Sequence, residues 1–350
     1  MKILIIGKNS YIGNHLDEWL TKYGHEVEQL DVLTEDWRAY DYSPHDAIVH
    51  VAGIVHRPDC QDWKLYKAVN CDMPVAIASR YKSSRSSKGL NGEYVFFSTM
   101  GVYDAGKQLK PSLVDENTPL LKEGNSMYGK SKVMAEEGLM ALQSNAGSRG
   151  SKSSSIGANT NPTNEGNKIH EKFVAIHDNS YQKEVNKDSV DSCNLCSTEN
   201  DEPIFNVAIV RPPSVYGKGC RGGYITGFKK IASLMPIIPR AYEDVCQSFI
   251  YIDNLSECVR LIAENHLNGA FCPQDDEIPN ANRLLEVISK GIGKKYRSSK
   301  FLGLCLRMVS FIPLVKKAYG GIEYSRTLSD IHGMNYVVVP FEEGMERSVK

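Results

Sequence analysis

The chain has 350 residues, with 41 Lys and Arg against 42 Asp and Glu, a net charge of −1 and nine cysteines. That length allows one large domain or two smaller ones with a real core, and the balanced charge does not call for a nucleic-acid or anionic-membrane partner. The odd, scattered cysteines argue against a disulfide framework and for a reducing cytoplasm, as does a start that reads as a strand rather than a signal peptide.

Residues 2–6 form an almost continuous apolar run, as a strand buried on both faces of a parallel sheet would. Gly7-Lys8-Asn9-Ser10-Tyr11-Ile12-Gly13 follows, then a helical pattern through Leu16, Trp19 and Leu20. A strand, a glycine turn and a helix N-terminus make a phosphate cradle, because free backbone N–H groups and the helix dipole favour an anion there. Residues 25–30 read as a second strand, with Asp31 at its end, where a dinucleotide site places a carboxylate for the adenosine ribose. An acid there repels a 2′-phosphate, which favours NAD over NADP. Residues 46–53 read as another buried strand, whose last residues, Val51, Ala52 and Gly53, would line the cofactor. His50 and His56 read as packing or loop histidines, and residues 62–79 as a helix containing Asn70.

Residues 94–99 are the next strand, with Thr99 at its C-terminal end, where ligands of open α/β sheets bind. The spacing predicts a helix over residues 126–143, placing Tyr128 and Lys132 four apart on one face. A neighbouring ammonium favours the phenolate, so the Tyr128 pKa is expected to fall toward neutrality. Such a tyrosine can take a proton from a sugar hydroxyl and return it, and Thr99 can hydrogen-bond the same oxygen.

Between residues 144 and 203 the composition turns to Ser, Asn, Gly and Lys and apolar periodicity vanishes, as in a largely disordered insertion. Cys193 and Cys196 lie inside it as a lone Cys-x-x-Cys, read as incidental; no metal site is expected. A core strand returns at residues 205–210, followed by Arg211-Pro212-Pro213-Ser214-Val215-Tyr216-Gly217. Residues 222–233 look helical and 248–252 form a short strand. Asp253-Asn254 is expected to cap a helix over 255–265, and residues 280–291 and 301–320 look helical. The tail from Tyr324 carries no pattern. No apolar run reaches the ~20 residues of a membrane span. The nearest, residues 301–315, contains Arg307 and Pro313 and reads as a core or amphipathic helix, with membrane-surface docking the weaker alternative.

The order of glycine turn, end-of-strand Asp, Ser-Thr-x-x-Val-Tyr, Tyr-x-x-x-Lys, Arg-Pro-Pro-x-Val-Tyr-Gly and Phe-Ile-Tyr-Ile-Asp-Asn resembles the extended short-chain dehydrogenase/reductases. More narrowly, it resembles their NAD-dependent nucleotide-sugar epimerase/dehydratase group, over residues 1–143 and about 205–324. The resemblance implies an α/β fold: a doubly wound Rossmann parallel sheet with a smaller C-terminal substrate-binding domain. In that scheme residues 1–143, 204–219 and 248–265 form the Rossmann domain, and 220–247 and 266–340 the substrate-binding region. It implies Tyr128 as acid–base residue, Lys132 on the nicotinamide ribose, Thr99 on the substrate oxygen, and NAD as cofactor. Its implied partner is a nucleotide sugar, with a homodimer as a family expectation.

Three positions depart from the family. Ser10 replaces the middle glycine, Ser214 an asparagine that touches the substrate, and Gln247 the arginine that pairs with the substrate diphosphate. An amide cannot reproduce a guanidinium fork; Arg221, Arg240 and Lys218 are the candidates to compensate. The 4,6-dehydratases follow the threonine with an acidic pair, where this chain has Met100-Gly101, which argues against dehydration. The reading is a UDP-sugar 4-epimerase. An NAD(P)H-dependent 4-keto reductase is the second reading, and a non-catalytic NAD-binding interaction protein the third.

Overall fold

The computed structural model describes residues 1–55, 62–121, 126–143, 203–220 and 223–350. The described residues belong to one unit built from Met1–Ser144 and Glu202–Lys350; the other unit, Asn145–Asp201, holds the expected insertion with Cys193 and Cys196 and lies outside them, as does His56.

Six strands form the central sheet: β1 (Lys2–Ile6), β2 (Glu26–Leu30), β3 (Ala47–His50), β4 (Gly92–Phe97), β5 (Phe205–Val210) and β6 (Gly269–Phe271). Their order is β2-β1-β3-β4-β5-β6, every pair parallel, with Ile5 opposite Val49, Val49 opposite Val95 and Val95 opposite Ala208. The order reverses between β1 and β3, and that switch point opens the crevice where ligands of such sheets bind. β6 carries only Gly-Ala-Phe, too short for its apolar pattern to mark it.

Side chains alternate between the two faces, as the pleat requires. Ile3, Ile5, Val49, Val95, Ala208 and Val210 pack with helices α1 (Tyr11–Lys22) and α6 (Ile252–Glu264). Leu4, Ile6, Ile48, Tyr94, Phe96 and Ile209 pack on the other side with α3 (Met73–Ser86) and α4 (Met127–Met140). Helices therefore cover both faces, which explains the near-continuous apolar strands.

The helix expected over residues 62–79 is interrupted. A short α2 (Trp63–Lys67) passes through a π-helical turn, Ala68–Asp72, into α3. The cap expected at Asp253-Asn254 is also corrected: α6 begins at Ile252, and Asn254 turns inward. Its amide donates to Asp275 Oδ1 (2.9 Å) and the Val339 carbonyl (2.8 Å), while its oxygen accepts from the Val338 and Val339 amides. Burial made this asparagine a tether rather than a cap.

Helices α5 (Gly223–Leu234) and α7 (Ala281–Gly291) match the sequence reading closely. The run over 301–320 divides into α8 (Lys300–Met308) and α9 (Pro313–Tyr319), because Pro313 can start a helix but not continue one. The patternless tail ends in α10 (Phe341–Val349), which packs on α7. His50 is fully buried and its Nδ1 meets the Tyr94 hydroxyl at 2.7 Å, a packing role as expected.

Candidate active site

The turn after β1 is built by close approach. Gly7 has φ +127°, and a Cβ on it would lie 3.0 Å from the Ala52 amide nitrogen at the end of β3. Asn9, with φ +62°, takes the left-handed turn. A Cβ on Gly13 would meet Ser10 Oγ at 2.6 Å and the Gly7 carbonyl at 2.8 Å. Ser10 is the N-cap of α1, its Oγ accepting from the Gly13 amide at 3.0 Å. The serine that replaces the middle glycine thus folds its hydroxyl into the helix instead of crowding the turn. The first helical amides lack intrahelical partners, so this end favours an anion. Ile12 lines the cleft, whereas the Tyr11 ring turns toward Gly217 and Ile252.

Asp31 closes the turn after β2. Its Oδ1 accepts from the Leu33 amide (3.0 Å), and hydrogen bonds from Leu33 and Thr34, with Lys8 nearby, hold its carboxyl below the usual range. It is therefore ionised at neutral pH, at the carboxyl edge of the sheet.

Gly53, Thr99, Tyr128 and Lys132 line one cleft of about 180 Å³ beside Ile12, Val51 and Pro212. The Thr99 side chain lies close enough to the Tyr128 phenol to favour its ionised form. Thr99 Oγ1 also accepts from the Gly101 amide at 3.1 Å, which fixes its rotamer. The helix carrying Tyr128 comes this close because position 129 is glycine; a Cβ there would stand 2.5 Å from the Gly101 carbonyl oxygen.

Asn70, on the π-helical turn, pins the loop after β3. Its side chain exchanges hydrogen bonds with Ile54 N (2.8 Å) and O (2.9 Å) and donates to Ser131 Oγ (3.1 Å) on α4. The sequence placed Asn70 only inside a helix; π turns often mark functional sites.

Lys132 is 3% exposed, and its Nζ donates to the Phe97 carbonyl at 2.7 Å and sits 4.4 Å from the Phe96 ring centroid. Burial pushes its pKa down to about 7, with Glu136 opposing. The expectation that Tyr128 would be acidified is corrected here: burial raises the Tyr128 phenol above its ordinary value, with Thr99 only partly opposing. A lysine that sheds its own proton near neutrality cannot acidify a phenol.

Glu136 is committed elsewhere. It accepts from Arg211 Nε (3.1 Å) and Nη2 (2.6 Å) and from the Ser98 hydroxyl, while Arg211 Nη1 donates to the Tyr103 hydroxyl (2.8 Å). No carboxylate follows Thr99, since Met100 packs into a small core with Val102 and Val133.

Gln247 is buried, its Nε2 donating to Ser214 Oγ at 3.0 Å and its Oε1 accepting from Tyr224 OH (2.8 Å) and from Lys107 Nζ (2.5 Å). The Lys107 ammonium also lies 3.8 Å from the centroid of the Tyr224 ring. Burial, with Lys317 adding repulsion, pushes its pKa down to about 7. Arg240 instead pairs with Glu243 (2.7 Å) and Lys218 is exposed, while Arg221 lies outside the described residues. Lys107 gave no sequence signal, because it sits in a loop with no motif around it.

Residues 3–175 match the model of the NAD dependent epimerase/dehydratase family. The chain belongs to this family. A search of curated proteins finds no match. Solved structures of similar fold include the human epimerase family protein SDR39U1 with NADPH, at 14% identity and TM-score 0.61 over 100% of this chain and 99% of that one. The UDP-glucuronic acid 4-epimerase of Bacillus cereus with NAD shares 17% identity, TM-score 0.58, over 100% and 95%. The dTDP-4-dehydrorhamnose reductase of Bacillus anthracis with NADP shares 15%, TM-score 0.60, over 99% and 98%. At these identities the likeness is one of fold, and this epimerase/dehydratase-family member stands near epimerases and reductases alike. Among its described residues no group of three or more His, Cys, Asp or Glu is placed to hold a metal ion.

Proposed function

We propose that this enzyme is a nucleotide-sugar 4-epimerase that works with NAD. The observation that carries the reading is that Thr99, Tyr128, Lys132 and Gly53 line one cleft, at the point where strand order reverses. The glycine-built turn fits a dinucleotide: Gly7, Ser10 and Gly13 leave the end of α1 open to a pyrophosphate, with Asn9, Tyr11 and Ile12 presenting backbone, Val51 to Gly53 lining the nicotinamide end and Asp31 suiting unphosphorylated ribose hydroxyls. Bound NAD supplies hydride transfer at the sugar carbon.

The protein's share is proton handling and positioning. Thr99 hydrogen-bonds the sugar 4-oxygen, and Tyr128 takes the hydroxyl proton and later returns it to the same oxygen. Lys132 holds ribose hydroxyls. An anionic ligand in the cleft returns the proton to Lys132 and so restores the help Tyr128 lacks without it. Lys107, held by Gln247 with Ser214 and Tyr224, takes the diphosphate in place of the absent guanidinium. Among the described residues no carboxylate lines the cleft, and the nearby Glu136 is tied to Arg211, so dehydration is disfavoured.

A 4-keto reductase is the second reading, favoured by the burial that raises the Tyr128 phenol, which suits a group that gives a proton to a carbonyl oxygen. Mass spectrometry of small molecules released from the purified protein, with UDP-hexose interconversion assayed without added cofactor, separates the two. Retained NAD and cofactor-free turnover are expected, as is a 10²–10⁴-fold loss in Tyr128→Phe, in the usual range for acid–base catalysis. Strict need for added NAD(P)H moves the assignment to reductase, and turnover untouched by Tyr128→Phe overturns the mechanism.

A further inference from the structure

The near-zero net charge conceals a one-sided stretch. Between Glu286 and Glu323 there is no Asp or Glu, and eight Lys and Arg fall inside it. Lys290 pairs with Glu342; none of the other seven makes an ion pair with a described residue. The same stretch carries large apolar side chains in solvent: Phe301 is 72% exposed, Leu304 61%, Met308 75%, Phe311 80% and Leu314 70%.

The helices are turned so that this must be so. Gly303 seats α8 directly on the backbone of Arg240, where a Cβ would run into the carbonyl. That fixes the opposite face outward, and Phe301, Leu304 and Met308 recur on it at helical spacing. In α9, Val315 and Tyr319 point inward, Tyr319 donating to the Pro239 carbonyl at 2.8 Å. Leu314, Lys316 and Lys317 are left outside. A surface helix ordinarily shows water its polar face; these two show an apolar stripe flanked by cations.

We propose that helices α8 and α9 dock in the plane of an anionic lipid bilayer, with the apolar stripe in the headgroup boundary and the lysines on lipid phosphates. Charge decides the occupant. A second copy meeting this face about a two-fold axis would set the same unpaired cations against each other. An anionic surface neutralises them, and each cation near such a surface raises partitioning roughly five-fold. Neither helix is long and apolar enough to cross, so the contact is interfacial.

The test is co-sedimentation of the full chain with vesicles of phosphatidylcholine alone or with added phosphatidylglycerol, at low and high salt. Binding is expected only with the anionic lipid, weakened by salt. Lys316→Glu with Lys317→Glu should lower partitioning roughly tenfold or more. Phe301→Ser with Leu304→Ser and Met308→Ser should do the same, with the thermal midpoint unchanged, because these side chains are already in water. Absence of binding to the anionic vesicles, or equal binding to neutral ones, overturns the proposal. So does a lipid-free dimer, seen by sedimentation velocity, that the serine variant dissociates.

Discussion

Lys132 and Lys107 are both pushed down to about pKa 7 by burial, and this has a consequence for stability. An unfolded lysine keeps its proton to about pH 10.4. Between those values the unfolded chain binds more protons than the folded one, so stability rises as pH rises. Glu93 works against this at lower pH: burial lifts its pKa to about 8, so its contribution falls as pH climbs toward that value. Buried thiols oppose the lysines above about pH 8: burial pushes up Cys71, Cys246, Cys258 and Cys272, so the unfolded chain loses those protons first and stability falls there as pH rises. The lysine effect is therefore read as a difference between variants, Lys132 adding a rising component of at most about 1.4 kcal/mol per pH unit to the ligand-free protein between about pH 8 and 9.5. Lys132→Met should remove that component, and an unchanged pH profile would mean Lys132 is charged in the folded state. Lys107→Met should remove less, since Lys107 is only half-buried. It should also raise KM for the sugar nucleotide roughly tenfold with kcat little changed, as loss of one charged hydrogen bond would.

The elements legible in the sequence were those whose burial leaves a pattern. β1, β4 and β5 read as apolar runs because helices cover both sheet faces, and α4 was legible through Tyr128 and Lys132. What escaped was set by tertiary contact. β6 pairs with β5 through three residues that carry no strand signal. Asn254 became a tether because the Val338–Val339 segment reached it. The lowered lysine pKa values depend on how deeply α4 and the loop around residue 107 are buried, which spacing cannot tell. Gly129 is the clearest case: the Tyr-x-x-x-Lys spacing assigns it no role, yet it sets how closely α4 approaches the turn after β4. Gly129→Ala forces a methyl against the Gly101 carbonyl oxygen, and a backbone atom cannot swing away. A destabilisation of about 1–3 kcal/mol is expected. Since a shift near 1 Å in a catalytic pair costs about 10²-fold, kcat should fall by more than thermal stability would suggest. Equal kcat in Gly129→Ala and the parent would show that the Thr99–Tyr128 distance is not held by this contact.

At the scale of the whole molecule, the question is what the long α4-to-β5 connection does to the fold. Its two ends are tied into the unit that holds the sheet. The Leu142 carbonyl accepts from Lys82 Nζ at 2.7 Å, and the Ile204 amide donates to Asn91 Oδ1 at 2.8 Å. Asn91 precedes β4, so this end of the connection leaves the sheet at its amino edge, away from the cleft at the carboxyl edge. A helix-to-strand connection there ordinarily needs about 2–6 residues. Replacing the unit Asn145–Asp201 with a short Gly-Ser linker should therefore leave the sheet, its two helical layers and the cleft in place. A roughly tenfold shorter connection lowers the closure entropy cost by about 2 kcal/mol. The excised protein is accordingly expected to unfold at the same denaturant midpoint or a higher one, and to retain its dinucleotide on purification. An unfolding free energy lower by several kcal/mol, or loss of the bound dinucleotide, would mean that Asn145–Asp201 supplies packing or ligand contacts to the rest of the chain.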